Sequence, residues 1–152
     1  MNTKKPIGFW VLLISGIILL LELLLGQMMA LINYDFTVSL GLQESVEKVT
    51  GVGVALNKGF GVADTAVYVP LLVLGLVGLW KRRFWGLFAM TGALAVTIYW
   101  PLVCMSMLFF AKGTPGFGFT QYTSYAIIMG LVELYGLWGL WYVYKNRKIL
   151  LV

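Results

Sequence analysis

Four apolar runs, each long enough to cross a lipid bilayer as a helix, constrain this chain more than any other feature. They lie at about 8–32, 61–80, 84–111 and 122–144. A spanning helix needs about 20 mostly apolar residues. Only 11% of the 152 residues are charged, whereas a soluble domain carries roughly a quarter. The sequence predicts an all-α integral membrane protein, an antiparallel four-transmembrane-helix bundle in a single membrane domain over residues 1–152.

The first run also has features of a signal peptide, because Lys4 and Lys5 precede it. Its apolar core at 7–26 is longer than a typical signal-peptide core of about 7–15 residues, and residues 27–30 make a poor cleavage site. We therefore expect the first run to be retained as a span.

The distribution of Lys and Arg predicts the orientation. If the helices alternate in direction, eight of these residues share one side and three lie on the other. The eight are Lys4, Lys5, Lys81, Arg82, Arg83, Lys145, Arg147 and Lys148, and the three are Lys48, Lys58 and Lys112. Cytoplasmic loops carry the excess of positive charge, so both termini are expected in the cytoplasm, in a plasma (inner) membrane rather than an organelle membrane. The net charge of +5 is thus assigned to topology, and no nucleic-acid partner is predicted.

The outer loop at 33–60 is the largest segment outside the predicted spans. Apolar positions recur in it near helical spacing, while polar ones project elsewhere, which predicts a short amphipathic segment on the outer surface or capping the bundle. The apolar set is Leu42, Val46, Val49, Gly53 and Leu56, and the polar set is Gln43, Glu44, Glu47 and Lys48. The run Val52, Val54, Leu56 also fits a strand. The second outer loop, 112–121, is predicted to be an ordinary Gly/Pro turn.

The chain has no His and a single cysteine, Cys104. These counts exclude a Ser-His-Asp triad, a haem-His ligand and most zinc sites, as well as internal disulfides and CxxC redox centres. No metal and no cofactor is predicted.

Polar residues inside the apolar runs are the candidates for function. Glu22 interrupts the first run, Glu133 the fourth, and Asp64 begins the second. A carboxylate at the bilayer centre costs about 2.5–3.5 kcal/mol and is usually protonated, paired or in a wet cavity. Counted along the helices, these groups and two aromatics fall in one layer about 16–24 Å from the cytoplasmic ends. The predicted ligand-binding residues are Glu22, Asp64, Tyr68, Tyr99, Trp100, Tyr125 and Glu133.

The inner half of the predicted bundle has few polar groups, so a cavity is expected to be closed towards the cytoplasm and open outwards. Pro101 leaves the carbonyl of Thr97 without its helical donor and predicts a kink. We expect this kink to direct Tyr99 and Trp100 at the carboxylate layer.

Small residues predict where helices approach closely, either within the bundle or in a homodimer. They are Gly75, Gly78, Gly92, Ala95, Gly130, Gly136 and Gly139.

Three functions remain open at this point. The preferred one is binding, with or without transport, of a small hydrophobic or amphipathic molecule in an outward-opening cavity of the bilayer-embedded protein. An alternative is a lipid, isoprenoid or sterol isomerase or cyclase in which Glu22 and Glu133 act as proton donor and acceptor. The third is a structural or accessory subunit, with Asp64 capping a helix and the two glutamates as neutral acids that set helix register.

Overall fold

The computed structural model describes residues 5–115, 117–119 and 122–151, without the side chain of Ile149. These residues form helices and no strands. Four helices are long and apolar enough to cross a membrane. In chain order the helices are α1 (Ile7–Ile32), the short α2 (Tyr34–Ser39), α3 (Val46–Trp80), α4 (Phe84–Ala111) and α5 (Tyr122–Leu150). For the described residues, the prediction of an all-helical fold with four helices long and apolar enough to span a membrane is confirmed. Lys4 and parts of the loop at 112–121 lie outside the described residues.

The long helices pack side by side. α3 contacts α4, α4 contacts α5, and α1 contacts both α3 and α5. The start of α1 lies beside the end of α3, where Lys5 Nζ donates a hydrogen bond to the Trp80 carbonyl at 3.4 Å. Gly8 at the start of α1 packs on the ring of Tyr142 near the end of α5. We call this end of the molecule the terminal end, and the end that carries α2 and residues 112–119 the loop end.

The half of the molecule near the terminal end is tightly packed. Its buried side chains come from all four long helices and are predominantly aliphatic. They include Phe9, Leu12, Leu72, Leu76, Leu79, Met90, Leu94 and Val143. Outward-facing positions are also apolar, as expected for a surface that contacts lipid, with exposed fractions of 61% for Ile18, 64% for Phe88 and 62% for Leu134.

Glycines let the backbones of α3 and α4 touch. A Cβ atom on Gly78 would overlap the Cα of Gly86, and one on Gly75 would lie 2.8 Å from the Cα of Met90. Close approach of this kind raises the van der Waals contact between membrane helices.

The glycines of α5 divide into two groups. Gly136 lies against Ile98 and Gly139 against Leu94, whereas a Cβ on Gly130 would meet nothing within 4 Å. The predicted close approach inside the chain is therefore confirmed at Gly136 and Gly139, as it is at the α3 glycines. The homodimer stays a prediction.

The second span begins earlier than predicted. α3 is helical from Val46, not from about 61, so the predicted outer loop shrinks and Asp64 lies in the middle of a helix. The interpretation of Asp64 as a helix N-cap is therefore wrong, because the amides that follow it already bond within the helix. Of the apolar positions of the predicted amphipathic segment, Leu42 lies in the turn after α2 and the others lie in α3; an amphipathic segment on the outer surface stays a prediction.

Thr50 breaks α3 after that first turn. Its φ of 64° and ψ of 170° are not helical, and a β-branched residue adopts a positive φ only under strain. The first turn therefore leaves the axis of the rest of α3.

Two π-helical segments interrupt α1 and α3 and contact each other. They are Leu23–Met28 and Asp64–Tyr68. Glu22 immediately precedes the first, and Asp64 opens the second. By contrast, α4 continues as α-helix through Pro101, so its kink stays a prediction.

Replacing Gly78 by Ala is expected to lower the free energy of unfolding by about 1–3 kcal/mol, because the added methyl overlaps the α4 backbone. The measurement is reversible unfolding of the purified protein in mixed detergent micelles. Gly130→Ala is the matched control, since its methyl enters open space and no loss is expected. Equal losses in the two variants would contradict the close contact between α3 and α4.

Replacing Thr50 by Gly is expected to raise the free energy of unfolding by about 0.5–2 kcal/mol, because glycine adopts a positive φ without strain. Thr91→Gly, in the regular part of α4, is expected to have the opposite sign and lose about 0.5–1 kcal/mol. The same unfolding assay compares both variants, and a loss at position 50 would show that the backbone there is not strained.

Candidate functional site

A cavity of about 600 Å³ occupies the loop-end half of the molecule. All four long helices line it, together with the α1–α3 connection and the loop at 112–119. Most lining side chains are apolar. The lining residues that belong to the packed core or pack against it are Leu19, Leu23, Tyr68 and Val132. The packed core below them closes the cavity towards the terminal end.

Four of the seven predicted site residues line this cavity: Glu22, Tyr68, Trp100 and Tyr125. They come from four different helices and meet because the helices cross at this level. Glu22 is exposed, and within the part of the chain that the structure describes no Lys or Arg forms an ion pair with it.

The hydroxyl of Tyr68 is already committed to a hydrogen bond. It lies 2.6 Å from Thr97 Oγ1, which itself donates to the Ala93 carbonyl at 2.8 Å. Tyr68 is therefore the donor to Thr97, and this buried chain fixes the ring against α4. Tyr68 therefore contributes its ring to the cavity wall, while its hydroxyl proton is engaged in the hydrogen bond to Thr97.

Trp100 and Tyr99 face different surroundings. Trp100 lines the cavity and its Nε1 is buried without a hydrogen-bond acceptor. Tyr99 is 64% exposed and does not line the cavity, since successive residues of a helix differ by about 100° in direction. Only Trp100 therefore meets the expectation that both aromatics face the polar layer.

Tyr125 lies beside Cys104 at the cavity wall. Both side chains line the cavity, Tyr125 from α5 and Cys104 from α4, and the cysteine is 4% exposed.

The other two acids lie outside the cavity lining. Asp64 is 4% exposed, and its Oδ2 atom has no hydrogen-bond partner. Glu133 is half-buried, and its neighbour Val132 lines the cavity in its place. The structure therefore does not bring Glu22 and Glu133 together at one cavity.

The segment between α1 and α3 is held over the cavity by hydrogen bonds. Gln43 Nε2 donates to the Gly26 carbonyl at 3.2 Å. Tyr34 donates to the Glu44 carbonyl at 2.9 Å and accepts from Asn57 Nδ2 at 3.2 Å. Burial raises the pKa of Tyr34, which keeps this donor protonated.

The second outer loop closes onto this segment, because the Gly118 amide donates to the Lys48 carbonyl at 2.7 Å. Lys48 also pairs with Glu44 at 2.9 Å. Both residues and Gln43 line the cavity, together with apolar positions of the same segment, whereas Glu47 does not. The expectation that the polar set projects away from the apolar set is therefore wrong for these three residues, and Gln43 and Glu44 precede the helix that begins at Val46.

Gln27 and Asn57 are cavity residues outside the predicted ligand-binding set. Both line the cavity, and Gln27 Oε1 is buried without a donor. The sequence signal for both residues was an amide side chain within an apolar or helical stretch. Across the described ranges, no three His, Cys, Asp or Glu side chains are grouped to hold a metal ion.

Comparison with known proteins found no relative of this chain. No protein-family model, no curated protein and no solved structure matches this chain.

Proposed function

We propose that the chain is a multi-pass membrane protein, folded as an antiparallel four-helix bundle, that binds a small hydrophobic or amphipathic molecule in its loop-end cavity. The observation that carries this proposal is the cavity itself. Its volume of about 600 Å³ lies within the range of about 300–1,000 Å³ that is typical of small-molecule sites, and its mostly apolar wall with a few polar groups is also typical.

The polar groups favour a ligand with a positive charge. Glu22 brings a carboxylate without an ionic partner among the described residues, and the ring of Trp100 attracts cations. The unpaired Nε1 of Trp100 would donate to an acceptor on the same ligand. A cationic amphiphile satisfies all three groups.

The alternative of an isomerase or cyclase has weaker support. It needs a proton donor and a proton acceptor at one substrate, and Glu133 does not line the cavity that Glu22 lines. Binding requires only Glu22 and the aromatic wall.

We further propose that both termini lie in the cytoplasm and that the loop end faces outwards, in a plasma (inner) membrane. Positive side chains that stabilise this orientation gather at the terminal end, whereas the loop end has few. The described ones at the terminal end are Lys5, Lys81, Arg82, Arg83, Lys145, Arg147 and Lys148. In this orientation the cavity opens outwards.

Tetraphenylphosphonium is expected to bind the purified protein more tightly than tetraphenylborate, which has a similar size and the opposite charge. Glu22→Gln should weaken tetraphenylphosphonium binding about tenfold, because it removes the carboxylate beside the cation. The measurement is isothermal titration calorimetry in detergent micelles, with empty micelles subtracted.

Glu133→Gln is the matched control for this experiment, since it removes a carboxylate at a similar depth that does not line the cavity. Its affinity for tetraphenylphosphonium should equal that of the unmodified protein. Equal binding of the two probe ions, or equal losses in the two variants, would refute a cation site at Glu22.

The orientation can be tested with single cysteines in a Cys104→Ala background. Ser39→Cys, on α2, is expected to react with a membrane-impermeant maleimide in intact cells, whereas Lys148→Cys should react only after permeabilisation. Both positions are exposed, so access depends on the side of the membrane alone. The reverse pattern would invert the proposed topology.

A further inference from the structure

The two π-helical segments, which contact each other, carry three buried side-chain oxygen atoms without hydrogen-bond partners. Gln27 Oε1, Asp64 Oδ2 and Thr65 Oγ1 are all buried and unpaired. Asp64 is the most deeply buried of the three, at 4% exposed. Leaving a buried polar atom unpaired costs about 1–3 kcal/mol, and more for a charged one. We propose that these three residues form a binding site for a sodium ion.

Packing brings the two π-helical segments together. Gly61, one helical turn before Asp64, is buried and faces α1, where a Cβ atom would lie 2.9 Å from the Gln27 carbonyl oxygen. Asp64 and Tyr68 follow Gly61 on the same buried stripe of α3. The π-helical segment that Asp64 opens contacts the π-helical segment that holds Gln27.

The π-helical geometry also supplies main-chain oxygen. A π turn replaces the usual i→i−4 bonds and marks functional positions in many helices. Here the Gly26 carbonyl, inside the first π-helical segment, accepts a hydrogen bond from Gln43 Nε2 at 3.2 Å. Carbonyls of this segment are thus open to partners outside their own helix, which is how irregular membrane helices coordinate sodium.

The donor set suits a monovalent cation. It consists of one carboxylate oxygen, one amide oxygen and one hydroxyl oxygen, all of them hard ligands, with a single negative charge. Calcium sites use six to eight oxygens, commonly from several carboxylates, and no such acidic group exists in the described residues. A single carboxylate neutralises one sodium ion and leaves no net charge in the apolar interior.

The site has a route for the ion. Gln27 lines the cavity and also carries one of the three buried unpaired oxygens, so an ion would enter the site from the cavity at this residue. The sodium site does not depend on the organic ligand proposed above, since neither Asp64 nor Thr65 lines the cavity.

The test compares sodium chloride with choline chloride at equal ionic strength, without any organic ligand. Because an ion that binds only the folded state stabilises it, the melting temperature in detergent micelles should rise with sodium concentration along a single-site saturation curve. Choline, which is too large for the site, should leave it unchanged. Equilibrium binding of radioactive ²²Na⁺ to the same preparation measures occupancy directly.

Variants then assign the effect to these residues. Asp64→Asn keeps the shape and removes the charge, so the affinity for ²²Na⁺ should fall at least about tenfold. Thr65→Val should also weaken it. Glu133→Gln is the control and should bind ²²Na⁺ as the unmodified protein does.

Three results would overturn the sodium site. The first is equal melting temperatures in sodium and choline with no ²²Na⁺ bound. The second is sodium binding that survives Asp64→Asn. The third is stabilisation by acidification in choline without any sodium effect, which would show that Asp64 is a neutral acid donating its proton to a neighbouring oxygen. Loss of tetraphenylphosphonium binding with sodium binding intact would refute the cavity ligand alone.

Discussion

The backbone contact between α3 and α4 is the constraint on which the rest of the structure depends. At Gly75 and Gly78 the two helices approach until main-chain atoms touch, and a tight turn at 81–83 joins them. Towards the loop end the same two helices carry the large side chains Tyr68 and Trp100, which line the cavity. The residues of this helix pair thus change from small ones at the packed end to large ones at the cavity.

A second contact fixes α1 and α5 on this pair. Tyr135 donates to the Leu12 carbonyl at 2.9 Å, and Gly16 leaves room for the tyrosine hydroxyl, which would lie 3.1 Å from a Cβ atom there. In an apolar surrounding such a bond is worth about 1 kcal/mol. All four helices are therefore held at the terminal half, and the loop half is free to surround a space.

Hydropathy and helix length were sufficient to predict the helical class and the number of spans, because apolar runs of this length have few other stable structures. They were insufficient at residues 51–61, where Gly51, Asn57 and Lys58 lower the local hydropathy. Propensity places a loop there, yet tertiary contact overrides it, since Gly61 packs directly on the α1 backbone. The same error made Asp64 look like the start of a helix.

The candidate site was predictable in depth but not in direction. Counting residues along each helix placed Glu22, Trp100 and Glu133 in one layer, and a one-dimensional count contains no information about the rotation of each helix. The rotation of α4 about its own axis determines that Trp100 lines the cavity and Tyr99 does not. Both π-helical segments change the rotation of everything that follows them. Pro70 lies two residues after the second segment, whereas no Pro lies within or just after the first.

The three acids within the long helices were predicted at similar depths, but they differ in how a charge on each carboxylate can be stabilised. Glu22 is exposed at the cavity, so water or a ligand can solvate its charge. Glu133 is half-buried on α5, so its charge is only partly removed from the surroundings of the protein. Asp64 has neither option, because it is buried and its Oδ2 has no donor. A buried carboxylate persists only with a proton or a cation beside it, and the unpaired oxygens of Gln27 and Thr65 are acceptors that a cation satisfies together with Asp64. A proton on Asp64 would form a hydrogen bond with at most one of these two oxygens, whereas a sodium ion would contact both. The proposed sodium ion therefore explains more of the unpaired oxygens than a proton does.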